Sequence, residues 1–187
     1  MREFVYYSKN ARTSGNFKDL MKAGRIDIVC NVIIQAFFLS NKTREDMHLH
    51  LIFDGPPNPP MHFEIISNPD LPISKKDVAG LIKRMLYKQR DGEKKQIFPG
   101  CFIEKKSLSK LIDELKSKGK HVCVLDKKGE KLRNADLKDC VFVIGDHEGL
   151  PKKLIKEYKK QAISIGPPVY FASQTFIIIN NELDLRE

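Results

Sequence analysis

Short apolar runs alternate with amphipathic segments along this chain, and their different periods separate predicted strands from predicted helices. Five runs predict β-strands, at residues 2–8, 47–53, 62–66, 121–125 and 140–144. The last two runs, HVCVL and CVFVI, are continuously apolar. Continuous apolar strands are typical of a parallel sheet that is covered on both faces.

Helical spacing marks the segments between these runs. Residues 24–40 are apolar on nearly all sides and predict a buried helix. Ser74 and Asp77 resemble a capping box before a second helix, whose stripe includes Val78, Leu81, Ile82, Met85 and Leu86. A third helix carries apolar positions from 108 to 115 and ends at Gly119. Residues 88–96 predict a polar loop, and Pro151 opens another amphipathic segment.

Helices alternating with apolar strands indicate an α/β fold. The length of 187 residues suits a single domain over residues 1–187. No apolar run is long enough to span a membrane, and the N-terminal residues lack the apolar core of a secretory signal. We therefore expect a cytoplasmic protein without a membrane anchor.

Composition adds a basic balance to this picture. Thirty-three Lys and Arg residues against 24 Asp and Glu residues give a net charge of +9. Such a charge favours nucleic acid as a partner, although a solvated basic surface explains it equally well. The four cysteines are widely spaced and three lie in apolar stretches, which favours reduced, buried thiols.

Three loops follow apolar strands, and ligands of open α/β sheets bind beyond such strand ends. The loops begin after Leu125, after Ile144 in the sequence VFVIGDHEGLP (141–151), and at Ile165 in IGPPVYFASQ. Together they predict a preformed pocket lined by backbone groups, whereas taken singly each is also compatible with an ordinary turn. Phosphate-binding glycine motifs are missing. His48 and His50 share a strand face, but we predict no metal site.

Several blocks resemble one family, the tRNA pseudouridine N1-methyltransferases of the SPOUT superfamily, in its archaeal and bacterial branches. The blocks occur in the family's order and run nearly from end to end: MREFV, GRID, AFFLS, GPPNPP, FPGCFI, VLDKKGE, VFVIGDHEG, SIGP, FASQ and NNELD. The resemblance implies a mainly parallel sheet flanked by helices, with a deep trefoil knot in the C-terminal part. It also implies a homodimer, and a final helix at residues 175–179, where β-branched residues favour a strand by propensity.

The resemblance further implies that the knot loops bind S-adenosylmethionine. The positions that match the family's cofactor contacts are Leu125, Gly145, Ile165, Gly166, Pro167, Pro168, Val169, Tyr170 and Thr175. On this basis Gly145 ends its strand so that the cofactor approaches the backbone closely. Asp146 and His147 then lie at the rim of the pocket.

The implied reaction is methyl transfer to N1 of a pseudouridine, at position 54 in the T-loop of tRNA. Candidate RNA-binding residues are Arg25, Arg84, Lys88 and Arg90.

Candidate catalytic residues are Asn58, Asp146 and Thr175. Asn58 and Thr175 stand where the family often has Asp and Cys, which leaves a second hypothesis open. In that alternative the protein is a dimeric RNA-binding protein with lost or altered methyl transfer.

Overall fold

The computed structural model describes all residues, 1–187, and places eight strands in one sheet. The strands are β1 (Arg2–Ser8), β2 (Met47–Phe53), β3 (Met61–Ile66), β4 (Lys95–Phe98), β5 (Cys101–Glu104), β6 (His121–Lys131), β7 (Cys140–Gly145) and β8 (Ala162–Ser164). The helices are α1 (Ile26–Phe37), α2 (Val78–Lys88), α3 (Leu108–Ser117), α4 (Lys152–Glu157) and α5 (Ala172–Arg186).

The sheet is mixed, with the order β4-β5-β3-β2-β1-β7-β6-β8. The five neighbouring strands β2, β1, β7, β6 and β8 pair in parallel. The β2–β3, β3–β5 and β4–β5 pairs are antiparallel. The predicted α/β class is confirmed. The parallel strands all end at one edge of the sheet, which we call the carboxyl edge.

Alternating side chains of β1 face two separate apolar layers. Phe4 and Tyr6 belong to a layer with α1, α2 and α5, whereas Val5 and Tyr7 belong to a layer with α3 and α4. The prediction of a sheet covered on both faces is therefore correct for the parallel half. The four cysteines are buried and unbridged, as expected.

Three local predictions are wrong. Asp77 caps α2 without a side-chain hydrogen bond, so the capping box with Ser74 does not form. Strand β4 begins inside the predicted polar loop, because Lys95 and Gln96 pair with β5. Strand β6 continues beyond residue 125, and its pairing with β8 shifts from Leu125 to Glu130.

The final helix, expected from the resemblance, is confirmed as α5. Its β-branched start is helical because the buried residues Phe176 and Ile179 pack against the core. Phe176 stacks on Phe4 of β1 with ring centroids 4.7 Å apart. Packing thus overrides local propensity. The trefoil knot stays a prediction.

Candidate active site

The three predicted loops meet at the carboxyl edge and enclose a pocket of about 700 Å³. Eight of the nine predicted cofactor positions line it: Leu125, Gly145, Ile165, Gly166, Pro168, Val169, Tyr170 and Thr175. Pro167 faces a neighbouring cavity between the β8 loop and α5. The fold thus brings together residues that are up to 50 positions apart in the sequence.

Asp146 fastens the β7 loop to the end of β1. Its Oδ2 accepts hydrogen bonds from the amide of Lys9 at 2.9 Å and the hydroxyl of Ser8 at 3.2 Å. Its Oδ1 accepts from the amide of Glu148 at 2.9 Å. The side chain is buried, and both carboxylate oxygens are occupied within the chain. We infer that Asp146 positions the loop, whereas the exposed His147 lies at the pocket rim.

Gly145 is required by the turn itself. A Cβ atom at this position would lie 2.5 Å from the carbonyl carbon of Gly149 and 2.6 Å from the amide nitrogen of Leu150. Real side chains do not tolerate such distances from backbone atoms. Closure of the turn is therefore a sufficient reason for the glycine, and the close cofactor approach implied by the family resemblance stays a prediction.

Gly166 answers a different need. Its φ of +135° is a conformation that residues with a side chain rarely adopt. The space above it is open, because a Cβ atom would meet nothing closer than Pro168 at 3.8 Å. This glycine therefore leaves the backbone of the β8 loop open to the pocket.

Thr175 lies in the first turns of α5 and is buried. Its hydroxyl donates to the carbonyl oxygen of Phe171 at 3.2 Å, the residue one helical turn earlier. The hydroxyl is consequently engaged within the helix.

Asn58 lies outside this pocket, in the proline loop after β2, at the same edge of the sheet. Its amide donates to the hydroxyl of Thr13 at 2.7 Å, which ties the loop to the segment after β1. Lys105 Nζ donates to the side-chain oxygen of Asn58 at 2.9 Å and to the carbonyl of Pro59 at 2.9 Å. Burial lowers the pKa of Lys105, and no carboxylate pairs with it.

Lys105 is a site residue that the sequence analysis missed. It directly follows β5, which runs parallel to β2, so it emerges at the carboxyl edge. The signal for Lys105 was a basic residue immediately after the short segment CFIE, which was not predicted to be a strand.

A second missed feature is a pair of contacts across the pocket rim. Glu148 accepts hydrogen bonds from Lys9 Nζ at 2.7 Å and from the Asn10 side chain.

The four predicted RNA-binding residues have different surroundings. Arg25 makes a two-pronged ion pair with Asp27, both contacts being 2.9 Å. Arg84 pairs with Asp77, and Lys88 lies over the ring of Phe98. Arg90 is exposed and has no ion-pair partner.

The carboxyl end of α2 reaches the site. A Cβ on Gly15, in the segment after β1, would lie 2.8 Å from the ring of Tyr87. The amide of Lys105 donates to the carbonyl of Gly92 at 2.8 Å. Lys88 and Arg90 therefore lie on the side of the molecule that holds Asn58 and Lys105.

Comparison with known proteins identifies the family. Residues 1–187 match the model of a family described as "Putative SAM-dependent RNA methyltransferase", where SAM is S-adenosylmethionine. The chain belongs to this family.

Two curated proteins with similar sequences carry the same activity in their names. A tRNA (pseudouridine(54)-N(1))-methyltransferase of Methanococcoides burtonii is 36% identical, with 98% of this chain and 96% of the relative aligned. The protein of the same name from Methanocaldococcus jannaschii is 32% identical, with 100% and 98% aligned.

A solved structure supports the SPOUT-type fold. Nep1 of Archaeoglobus fulgidus, bound to S-adenosylhomocysteine, superposes with a TM-score of 0.64 at 15% identity. The superposition covers 98% of this chain and 97% of Nep1.

The pocket suits the cofactor that the family's name specifies. Apolar side chains from β7, β8 and α4, among them Ile144, Ile163 and Ile155, give it a wall for a flat ring system. The backbone amides of Val169 and Tyr170 donate to no other group of the chain, so they are free to bind a polar ligand. Apolar walls with a few free backbone donors are what a nucleoside-containing ligand needs.

Proposed function

We propose that the protein methylates N1 of pseudouridine 54 in tRNA, using S-adenosylmethionine bound in the pocket at the carboxyl edge. The observation that carries the proposal is the convergence of the three family-matched loops on one pocket. The names of the relatives support the nucleotide. The whole chain acts as one domain, and we expect it in the cytoplasm with tRNA.

The bound cofactor supplies a methyl group on a sulfonium, and the protein's contribution is chiefly to position the target base against it. The Asp146 hydrogen bonds fix the β7 loop, and the Gly166 backbone leaves the pocket accessible. The base of a T-loop nucleotide must leave its stack to reach such a pocket.

N1 of pseudouridine carries a proton that has to leave as the methyl arrives. Asn58 accepts no proton as a carboxylate does. The neighbouring ammonium of Lys105, which no carboxylate neutralises, instead favours the anionic form of a base brought to this loop. We assign Lys105 and Asn58 to the binding of the target base, with a water as the proton acceptor. Arg25, Arg84, Lys88 and Arg90 hold phosphates on the adjoining surface.

Exposed apolar residues continue from the pocket loop along α5. Val169 is 93% exposed, Phe171 75%, Ile177 47% and Leu185 74%. Since α5 also buries Phe176 and Ile179 inside the chain, it is apolar on two sides. We propose that the outer side pairs with a second copy and forms the homodimer.

Dimer formation is tested by light scattering on Ile177→Glu and on the control Met21→Glu, which changes an apolar residue that is 61% exposed elsewhere. Ile177→Glu is expected to yield a monomer and the control a dimer. A dimer in both variants would remove α5 from the interface.

The decisive experiment for activity measures label transfer from radiolabelled S-adenosylmethionine to two matched tRNA transcripts. One transcript carries pseudouridine at position 54 and the other uridine. We expect label in the pseudouridine transcript alone. Label in neither, from protein that still binds S-adenosylhomocysteine, would favour the alternative of an RNA-binding protein without this reaction.

A further inference from the structure

A cluster of buried and half-buried histidines and carboxylates lies on the α3 side of the sheet. Glu3 of β1, His48 and His50 of β2, His62 and Glu64 of β3, and Glu104 of β5 form it. Glu3 is aligned with His48 in the parallel β1–β2 pair. The carboxyl edge begins five residues further along β1, roughly 16 Å away. This distance separates Glu3 and His48 from the cofactor pocket, whereas Glu104, at the other end of the cluster, directly precedes Lys105.

Both ring nitrogens of His48 and His50 face a hydrogen-bonding group. His48 Nε2 lies 2.8 Å from Glu64 Oε1, and His50 Nδ1 lies 2.9 Å from His62 Nε2. His62 Nδ1 in turn lies 3.0 Å from Glu104 Oε1. The two remaining nitrogens, His48 Nδ1 and His50 Nε2, both face Glu3 Oε1, at 3.3 and 3.1 Å.

These five contacts exceed the protons that three neutral rings carry. Each neutral imidazole has one N–H group. In the tautomers that direct the N–H groups to Glu64, His62 and Glu104, all three protons point away from Glu3. Two nitrogen lone pairs and one carboxylate oxygen are then left facing one another, an arrangement that is repulsive unless a cation lies among them.

The three atoms have the separations of metal ligands. Glu3, His48 and His50 each offer one ligand atom, and these three atoms lie within 4.8 Å of one another. Ligands at about 2.0–2.1 Å from a tetrahedral Zn²⁺ are separated by roughly 3.3 Å. The observed distances of 3.1 and 3.3 Å from Glu3 Oε1 agree with that spacing.

The surrounding groups are those that orient ligating histidines. A metal-bound histidine typically donates its other N–H to a carboxylate or an equivalent acceptor. In these tautomers His48 donates directly to Glu64, and His50 donates to His62, which donates to Glu104. Lys120 binds the other oxygen of Glu3 at 2.9 Å and leaves Oε1 free. The least buried ligand is His48, at 17% exposed, which gives an ion a path of entry.

We propose that Glu3, His48 and His50 bind one divalent transition-metal ion of the Zn²⁺ class, which clips β1 to β2 in a structural role. The shared strand face of His48 and His50 did not by itself predict a metal site, and Glu3 joins these residues only in the fold. A water molecule completes the coordination, as in other sites with three protein ligands. The proposal is independent of the methyltransferase activity.

The test is a Zn²⁺ titration of untagged, chelator-treated full-length protein in competition with a chromophoric chelator. Co²⁺ is added in a parallel sample, since its absorption spectrum reports the coordination geometry. We expect one Zn²⁺ per chain, submicromolar affinity and a tetrahedral Co²⁺ spectrum. Failure of the folded wild-type protein to bind stoichiometric Zn²⁺ would overturn the proposal without any variant.

Variants locate the ion. His48→Gln is expected to abolish stoichiometric binding, and Glu64→Gln to weaken it about 10- to 100-fold. His121→Gln, which changes an exposed histidine of β6, is the matched control and retains full affinity. Binding of S-adenosylhomocysteine, measured on each variant, confirms that the fold is intact. Equal affinity in His48→Gln and the control would place any bound metal elsewhere and reject the site.

Discussion

The ammonium of Lys105 lies 2.9 Å from the side-chain oxygen of Asn58, in the loop between β2 and β3. The same ammonium binds the carbonyl of Pro59, so one side chain fixes the loop and presents a positive charge at the carboxyl edge. An uncharged residue can preserve part of the first role and none of the second.

Lys105→Gln is expected to lower kcat/KM for tRNA by about 10- to 100-fold, because the loop loses both its anchor and its charge. Affinity for S-adenosylhomocysteine stays nearly unchanged, since Lys105 does not line the cofactor pocket. Steady-state kinetics and calorimetry measure the two quantities. Lys110→Gln, an exposed lysine of α3, is the control. Equal effects of the two substitutions would show that Lys105 contributes only to the overall positive charge of the protein.

Asp146→Asn tests whether this carboxylate positions the loop or accepts a proton. The variant loses part of a buried three-bond arrangement, and we expect a loss of about 1–3 kcal/mol in the free energy of unfolding. Cofactor affinity falls with it, whereas the pH–rate profile keeps its shape. Asp136→Asn, an exposed residue outside the pocket whose carboxylate accepts one local bond from the Lys138 amide, is the control. A profile that loses an ionisation in Asp146→Asn alone would identify Asp146 as the base.

Gly145→Ala is expected to open the β7 turn, because the added Cβ would lie 2.5 Å from the Gly149 backbone. The turn forms one wall of the pocket, so affinity for S-adenosylhomocysteine falls by about tenfold or more, equivalent to roughly 1.4 kcal/mol. Gly119→Ala is the control, since its φ of +78° imposes backbone strain with no neighbour within 4 Å. It is expected to lower stability by about 1–2 kcal/mol without weakening binding. Unchanged binding by Gly145→Ala would show that the turn accommodates the methyl group.

Local sequence patterns predicted the helices and strands whose structure depends mainly on residues nearby in the sequence. The stripe from Val78 to Leu86 became α2, and the apolar run at 140–144 became β7. Strands β4 and β5 were missed because each has only four residues and β4 is largely exposed. The pairing of β5 with β3 is decided by tertiary contacts that no local pattern contains.

The candidate site divides in a similar way. The glycine and proline loops pointed to the pocket, because strand ends and stiff loops are visible in sequence. The hydrogen-bond partners of Asp146 were not visible in the sequence, since Ser8 and Lys9 are more than 130 residues away. Glu3 and His50 are also far apart in the sequence, so the histidine cluster was found only in the structure.

Asp184 of α5 links stability to pH through its ion pairs with β1 and the β2 approach. Arg44 forms two contacts of 2.8 Å with its carboxylate, and Arg2 forms one of 2.6 Å. The hydrogen bonds from Arg44, together with Arg2 and against a smaller effect of burial, lower the pKa of Asp184 to about 2. Since the folded pKa lies below the unfolded value of about 3.9, the stabilisation is complete above pH 4 and is lost as the pH falls towards 2.

Asp184→Asn is therefore expected to lower Tm at pH 7 and to converge with the wild type near pH 2. The carboxylate is 40% exposed, so solvent screening limits the loss to about 1 kcal/mol or less, or roughly 2–4 °C. Thermal unfolding followed by circular dichroism between pH 2 and 7 measures the difference between the two proteins. Asp113→Asn, an exposed carboxylate of α3 without an ion pair, serves as the control. A Tm difference that persists unchanged to pH 2 would show that Asp184 stabilises α5 through packing, since an ion pair requires its carboxylate to be ionised.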